Sequence, residues 1–410
     1  MKSRLHSSAT LSRAALLGTL CLLVTACDKA APPPAAPQKA LTARRNPLPA
    51  ATATPVEGDK PLSAIHDLLP GAECPDPGPS GTATIAAAAA ALIPLKEGLT
   101  LSSIWKAFEG DYEHECLIQI AKMDARGFSA TQSCPVGKKH EQLITTRRIC
   151  WSDVIDSHIY ITGVARKFPP TFVGALQFNL SLASFAVLKA GGELHHRYVV
   201  VDGDDPRFSQ IDLDGHLTSD GAGTFNIIIN DKLVEVPTIE ASYINHKTND
   251  IIRIKALDEA RFPLMLDFYV PSEHRFFVTY AKVSFPTANV LEQHLAVDKH
   301  TDVYGIYFNF ASDVLRPESQ PVLREIADAL KAHIDWKIII HGHTDNIGGD
   351  AMNLDLSRRR AAAVRKDLVE HYQIDESRLS TSGFGASQPK ESNDSERGRA
   401  RNRRVELIRQ

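Results

Sequence analysis

Two histidines and an aspartate alternate along the chain just after an apolar run near the C-terminus. The run is 336–340, and His341, His343 and Asp345 follow at every second position. If the strand continued, the three side chains would share one face, and two imidazoles with a carboxylate are suitable metal ligands. The pair Gly348-Gly349 instead indicates that a loop begins near Asp345. The sequence therefore predicts neither a metal site nor a cofactor.

The elements around these residues have the periodicity of a mixed domain. An apolar stripe of helical period follows Pro317, a residue suited to the first position of a helix. The predicted order is strand 304–310, helix from 317, strand 337–341, helix 352–372, strand 379–382 and strand 404–408. This order predicts an α+β domain in which helices pack on one side of a mixed sheet.

The same segment carries a set of positions that occur together in one family. They are His343-Thr344-Asp345, Gly348, Asn353, Leu356-Ser357, Arg360-Ala361, Val364, Arg378-Leu379, Gly383-Phe384-Gly385, Pro389, Asn393 and 398–406. The pattern resembles the OmpA-like peptidoglycan-binding domain, which also occurs in the peptidoglycan-associated lipoprotein and in flagellar-motor stator proteins. The resemblance covers residues 300–410, about a quarter of the chain.

The resemblance implies binding without catalysis. The family's ligand is the diaminopimelate residue of the peptidoglycan peptide stem, whose ammonium and carboxylate share one carbon. The matching residues are Asp345 for the ammonium and Arg360 for the carboxylate. The chemistry is consistent with these roles, because a planar guanidinium grips a carboxylate with two hydrogen bonds and a carboxylate accepts from an ammonium. The resemblance assigns supporting contacts to Thr344, Gly348, Asn353 and Arg404.

The N-terminus predicts export and lipid attachment. Basic residues precede an apolar run, 14–26, which is too short to span a bilayer. The run ends in Val24-Thr25-Ala26-Cys27, which resembles a bacterial lipobox. We therefore predict a signal peptide at 1–26 and a lipid on Cys27 that anchors the chain to a membrane. The Ala- and Pro-rich segment 27–69 predicts an extended, disordered tether.

The predicted location is the outer membrane, with the folded part facing the periplasm. Asp28 directly follows the lipidated cysteine and leaves the inner membrane open as an alternative. Arginines are dense between 397 and 404, but Glu396 and Glu406 interrupt them and the chain carries a formal net charge of −3. An exported chain with this balance predicts no nucleic-acid partner.

Four cysteines remain after the signal and the lipid site. They are Cys74, Cys116, Cys134 and Cys150, an even number in one region of an exported chain, which predicts two disulfides. Cys116 and Cys134 are nearly equidistant from the turn-like segment 124–127. A hairpin there would place them opposite each other and leave Cys74 to pair with Cys150.

Residues 70–295 are predicted to form a mainly antiparallel β domain of sandwich type, because short β-branched and aromatic runs alternate with turn signals. This segment contains no GxSxG, phosphate-binding glycine loop or HExxH motif. His195-His196 and Glu113-His114-Glu115 were considered as ligands. Neighbouring strand residues face opposite sides, so structural or solvated roles are favoured for both groups.

These observations lead to one main functional hypothesis. The protein is a non-enzymatic envelope lipoprotein that holds peptidoglycan to a membrane, with 70–295 as a surface for an envelope protein partner. Two alternatives stay open. In one, 70–295 is a wall-acting enzyme that the C-terminal domain targets to its substrate. In the other, the chain is a subunit of a secretion or motility complex.

Overall fold

The computed structural model describes residues 73–76, 78–106, 113–136, 140–164, 175–202, 210–246, 251–270, 276–287 and 290–410. All of them belong to one compact unit, Leu62–Gln410. The predicted signal 1–26, Cys27 and the whole of the tether 27–69 lie outside the described residues. Among the described helices, none is both long and apolar enough to cross a membrane.

The described residues between 73 and 287, called the β-rich region below, form one large sheet flanked by three helices. The helices are α1 (Gly78–Ala89), α2 (Trp151–Ile155) and α3 (Leu182–Lys189). The strands are β1 (Thr100–Lys106), β2 (Glu113–Asp124), β3 (Gly127–Val136), β4 (Glu141–Cys150), β5 (Ile159–Val164), β6 (Glu193–Asp202), β7 (Gln210–Ile229), β8 (Lys232–Asn245), β9 (Ile251–Leu257), β10 (Met265–Val270) and β11 (Phe276–Ser284). Their order in the sheet is β4-β3-β2-β1-β11-β10-β9-β8-β7-β6-β5.

Most neighbouring strands of this sheet are antiparallel, which confirms the mainly antiparallel prediction. The exceptions are β5 with β6 and β7 with β11. The prediction of a sandwich is wrong, because the β7–β11 pairing closes strands β7 to β11 into a ring within the sheet. The 20-residue strand β7 bulges between Ser219 and Gly221, and Gly221 has a φ of +115°. A bulge bends a strand, so a long bent β7 reaches partners on both sides.

Two disulfides cross-link the β-rich region with the pairing that the sequence favoured. Cys116 and Cys134 face each other across the β2–β3 hairpin, with their Cα atoms 4.4 Å apart. Cys74 is joined to Cys150 at the end of β4, with a Cα–Cα distance of 5.3 Å. Beneath them the core contains large aromatic side chains, among which Phe128 packs against Trp151 and Phe178.

Residues 290–410, called the C-terminal domain below, form the predicted α+β fold. The elements are α4 (Val290–Val297), β12 (His300–Val303), α5 (Gln320–Ala332), β13 (Ile338–Gly342), α6 (Asp350–Glu370), β14 (Leu379–Gly383), α7 (Glu396–Asn402) and β15 (Val405–Arg409). The sheet order is β12-β15-β13-β14, and only β13 and β14 are parallel. Alternate residues of β13, Ile338 and Ile340, are buried in one core with the apolar faces of α5 and α6.

One strand of this domain lies elsewhere than predicted. The first strand is His300–Val303, whereas 304–310 makes only the single bridge between Phe308 and Leu315. The backbone of Tyr307 is used by another segment instead. Its N–H donates to Ser319 Oγ, and its carbonyl accepts from Arg316 N. The alternation of apolar residues in 304–310 therefore reflects the burial of this segment and not its pairing as a strand.

Candidate functional site

His341 and His343 do not form a three-residue group with Asp345. Strand β13 ends at Gly342, and both imidazoles turn toward Glu406 on β15. His343 Nε2 lies 2.9 Å from Glu406 Oε2, and His341 Nδ1 lies 3.6 Å from the same oxygen. Hydrogen bonding to His343 outweighs burial and holds the pKa of Glu406 well below its usual range. The alternation in the sequence thus ends where the strand ends.

Asp345 lies in a tightly fastened loop between β13 and α6. Its Oδ1 accepts from Ile347 N at 3.0 Å, and its own carbonyl accepts from Thr344 Oγ1 at 2.9 Å. Asn353, at the start of α6, donates Nδ2 to the carbonyls of Asp345 and Ile347. Gly348 has a φ of +97°, a conformation that favours glycine. Thr344, Gly348 and Asn353 thus hold the loop that presents the Asp345 carboxylate.

Two glycines let helix α6 approach the sheet closely enough to bring Arg360 toward this loop. A Cβ on Gly342 would lie 2.1 Å from the Ser357 carbonyl oxygen, and one on Gly383 would lie 2.4 Å from Arg358 N. Only glycine permits such contacts between a strand and a helix backbone. The position of Arg360 relative to Asp345 therefore depends on glycine at Gly342 and Gly383, where strands β13 and β14 contact helix α6.

The Arg360 guanidinium is fixed at one end and open at the other. Its Nε donates to the Ser312 carbonyl at 3.0 Å, and its Cζ lies 4.9 Å from the centroid of the Phe308 ring. No described residue accepts a hydrogen bond from either of its Nη atoms. Burial lowers the pKa of Arg360 to about 10, so the group stays protonated at neutral pH. Both Nη atoms are therefore donors that could bind a carboxylate.

The sequence prediction missed Arg403, which is the side-chain partner of Asp345. Arg403 Nη1 lies 2.7 Å from Asp345 Oδ2, and Arg403 Nε lies 3.6 Å from Glu115 Oε2. The neighbouring Arg404, which was chosen instead, donates Nε to Asp302 Oδ1 at 3.0 Å. Both arginines belong to the same basic run, so the sequence contained no signal that distinguished them.

A small cavity of about 40 Å³ lies beside these charges. Side chains of both regions contribute to it, and it is called the charged pocket below. Its polar and aromatic lining includes Arg360, Arg403, Arg404, His343, Tyr307 and Phe308 from the C-terminal domain, with Glu115 and Lys282 from the β-rich region.

Glu115 was predicted to be structural or solvated, and its side chain is in fact part of this pocket. It lies near the start of β2, and its Oε1 is 2.6 Å from Lys282 Nζ. Burial opposes its ionisation, but the positive charges of Lys282 and Arg403 outweigh burial and hold the pKa of Glu115 well below its usual range. Nothing in the sequence near Glu115 indicates a contact with a residue almost three hundred positions away.

The described residues thus form a small α+β domain with the Asp345 carboxylate and the Arg360 guanidinium near its charged pocket. Residues 307–403 match the OmpA family, and the C-terminal domain of this chain is an OmpA family domain. The family match does not include the β-rich region.

Known proteins resemble the chain over this domain. Outer membrane protein A of Bordetella avium is 45% identical over 102 residues, which are 25% of this chain and 52% of that protein. Peptidoglycan-binding protein ArfA of Mycobacterium bovis is 39% identical over 94 residues, 23% of this chain and 28% of that protein. The chain thus spans about half or less of these curated relatives. The solved peptidoglycan-associated lipoprotein of Burkholderia pseudomallei is 32% identical, with 26% of this chain and 88% of that chain covered and a TM-score of 0.24.

Proposed function

We propose that this protein is a non-catalytic envelope lipoprotein whose C-terminal domain binds the diaminopimelate-containing peptide stem of peptidoglycan. The observation that carries the proposal is the position of Arg360 in the lining of the charged pocket of an OmpA family domain, with Asp345 paired to Arg403 of the same lining. The name of the relative ArfA states peptidoglycan binding, and this supports the same class of ligand here.

In the proposed complex each charge of the ligand meets a group of opposite sign. The ligand carboxylate accepts from the two Nη atoms of Arg360, which the described residues leave without acceptors. The ligand ammonium donates to Asp345, whose carboxylate Arg403 already orients from the other side. Two opposite charges at a fixed separation select a zwitterion over ligands that carry only one of them.

The test of the carboxylate contact is a pull-down of the purified chain with diaminopimelate-containing sacculi. Arg360→Lys keeps the charge but loses the planar pair of donors, so the affinity should fall at least about tenfold, about 1.4 kcal/mol. Arg359→Lys is the matched control, because the adjacent Arg359 pairs with Asp313 and Asp355 on the exposed side of α6. Equal binding by the Arg360 variant and the parent would refute the proposal.

The ammonium contact has its own pair of variants. Asp345→Asn removes the negative charge while keeping an oxygen for the Ile347 N–H, and sacculus binding should again fall about tenfold or more. Asp355→Asn on the exposed face of α6 should bind like the parent. A loss that is the same in both variants would point to a general charge effect instead of a specific ammonium contact.

The membrane half of the proposal rests on Cys27. A lipid there, followed by an extended tether, would leave the folded unit free to reach the cell wall from the periplasmic side of the outer membrane. Cys27→Ser should move the protein from the membrane fraction to the soluble periplasmic fraction, and separation of the two membranes decides whether Asp28 retains the chain in the inner one. Membrane retention of the serine variant would rule out this anchor.

A further inference from the structure

The charged pocket is already filled with charges of this chain. Glu115 of β2 and Lys282 of β11 are an ion pair at 2.6 Å, and both side chains line the pocket together with Arg360. The carboxylate of Glu115 also lies 3.6 Å from Arg403, the partner of Asp345. A carboxylate and an ammonium of the β-rich region thus line the same pocket as Arg360, and the carboxylate lies near the arginine that is paired with Asp345.

Several buried contacts hold the β-rich region against the pocket. Arg316, which is 3% exposed, donates from the C-terminal domain to the carbonyls of Glu115 at 3.2 Å and Ser133 at 2.7 Å. Lys282 is equally buried, and its Nζ lies 5.2 Å from the Tyr307 ring centroid. Apolar contact of Ile104, Ala281 and Ala400 closes the same interface. Buried hydrogen bonds and ion pairs therefore hold the two regions together around the charged pocket.

The Glu115 and Lys282 side chains narrow the space in front of Arg360. They line the charged pocket together with Arg360, and the cavity left between the lining residues is about 40 Å³. The α-carbon of diaminopimelate with its ammonium and carboxylate has five non-hydrogen atoms and continues into a side chain. Displacement of Glu115 and Lys282 would widen the pocket for such a group.

We propose that the β-rich region narrows the ligand pocket with the Glu115–Lys282 ion pair, so that peptidoglycan binds more tightly when this pair is displaced. This inference rests on the proposed function of the same site. The two regions then form a switch with a closed state, seen in the structure, and an open state in which Arg360 faces the ligand. The ligand stabilises the open state only by its preference for that state.

The test uses the full chain and a soluble disaccharide tripeptide that ends in diaminopimelate, with binding measured by calorimetry. Glu115→Gln removes the internal carboxylate, and Lys282→Met removes the ammonium while keeping an unbranched side chain. Each should lower the Kd for the muropeptide about tenfold. Glu240→Gln is the matched control, because Glu240 and Lys255 form a cross-strand pair at 2.5 Å elsewhere in the same sheet. Thermal melts establish that each variant is folded.

The outcomes separate this inference from the function on which it rests. If Glu115→Gln and Lys282→Met bind no more tightly than the parent, while Arg360→Lys still weakens binding, the closure is wrong and the ligand site stands. If Arg360→Lys has no effect in either the parent or the Glu115→Gln background, the ligand site itself is wrong. Tighter binding by both pocket variants, abolished by Arg360→Lys, supports both.

A second inference comes from a histidine cluster on the β-rich region. His195 of β6 lies opposite His216 of β7, and His246 follows the end of β8. His195 Nε2 lies 2.6 Å from Asp214 Oδ1, and the Nδ1 of His216 contacts the Nε2 of His246. The ligand atoms of His195, Asp214 and His246 all lie within 4.8 Å of one another. All four side chains are at least partly exposed, so an ion can reach them.

We infer that this cluster binds a divalent transition metal ion such as Zn²⁺. Imidazole nitrogens with one carboxylate oxygen are the donor set that zinc, copper and nickel prefer. The close placement of one ligand atom each from His195, Asp214 and His246 is the geometric support for this site. An ion placed there would accept lone pairs from both imidazoles and from the carboxylate.

Calorimetric titration of the full chain with Zn²⁺ tests this site. The parent should bind one Zn²⁺ ion at this cluster. His195→Gln and His246→Gln should each raise the Kd of this site at least tenfold, whereas His294→Gln on α4 should leave the Kd unchanged. His341, His343 and Glu406 form another group with metal-ligand geometry, so His341→Gln is included to identify the source of any remaining binding. Unchanged Zn²⁺ affinity in both cluster variants would overturn the inference.

Discussion

The β-rich region and the C-terminal domain are stabilised by different kinds of long-range connection. The β-rich region has two disulfides, whereas residues 290–410 contain no cysteine. The C-terminal domain instead uses arginines that donate to distant carbonyls. Arg378 binds the carbonyls of Leu330, His333 and Trp336. The covalent connections thus belong to the region in which most strands pair with their sequence neighbours. The hydrogen-bonded ones belong to the domain in which β12 and β13 both pair with the distant β15.

Removal of a disulfide should have the largest effect and should be confined to stability. The double variant Cys74→Ser, Cys150→Ser removes a disulfide between cysteines that are 76 residues apart in sequence. The double variant Cys116→Ser, Cys134→Ser removes one between cysteines that are 18 residues apart. Chain entropy predicts losses in the free energy of unfolding of about 4.5 and about 3 kcal/mol. Urea unfolding of both double variants measures the two values. A larger loss from the shorter loop would show that local packing, not chain entropy, controls the stability of this region.

In the C-terminal domain we expect the largest loss of stability at Gly342, where strand β13 contacts the backbone of helix α6. Gly342→Ala would place a Cβ 2.1 Å from the Ser357 carbonyl oxygen, so α6 has to move away from β13. We expect a loss of about 2–4 kcal/mol in the free energy of unfolding, with weaker sacculus binding because Arg360 moves with the helix. Gly349→Ala is the control, since nothing lies within 4 Å of its added Cβ. Similar stability of both variants would contradict this account of the site.

The parts that could be predicted from sequence are those set by short segments. The Cys116–Cys134 bridge depended on a single hairpin, and the strands and helices of the C-terminal domain had clear apolar periods. The closure of β7 on β11 could not be predicted, because only two residue pairs make it and both strands also pair with other neighbours. Strand 304–310 failed for a related reason, since burial at a domain joint gives the same apolar pattern as a strand.

The site was predictable only where the family pattern named its residues. Asp345 and Arg360 came from that pattern. Arg360 lines the charged pocket, and Asp345 is paired with Arg403, another lining residue. Arg403 and Glu115 depend on how two regions dock, and a docking geometry leaves no local signal in the sequence. The choice of Arg404 over Arg403 shows the limit, because adjacent arginines differ only in the acceptors that the fold brings to them.

The free energy of unfolding should depend on pH through a buried carboxyl group between the two regions. Asp231, at the β7–β8 turn, accepts from Tyr304 N of the C-terminal domain at 2.9 Å. Burial, with repulsion from Glu325 and Asp302, raises the pKa of Asp231 to about 7 from 3.8. The folded state therefore holds an extra proton between about pH 4 and pH 7, and this contribution to stability is lost as the pH rises through 7.

Asp231→Asn cannot ionise and keeps an oxygen for the Tyr304 N–H. The variant should match the parent near pH 4 and exceed it by about 1–2 kcal/mol in unfolding free energy at pH 8, after allowance for partial exposure. Chemical unfolding at both pH values measures the difference. Asp328→Asn, on the exposed side of α5, should show no such change with pH. A parent that is more stable than the Asp231 variant at pH 8 would mean that the carboxylate is favoured in the joint.

Removal of a helix N-cap should have the smallest effect on stability, and each region has a capped helix to compare. Ser395 caps α7, the helix that leads to Arg403, and its Oγ accepts from Gly398 N at 3.1 Å. Ser181 caps α3 in the β-rich region, where its Oγ accepts from Ser184 N and also donates to Ser184 Oγ. Ser395→Ala should cost about 0.5–1 kcal/mol and Ser181→Ala about 1–2 kcal/mol in unfolding free energy, because the second leaves buried polar groups without partners. Thermal melts order the two variants. The reverse order would indicate that α7, through Arg403 and the joint, contributes more to stability than its seven residues suggest.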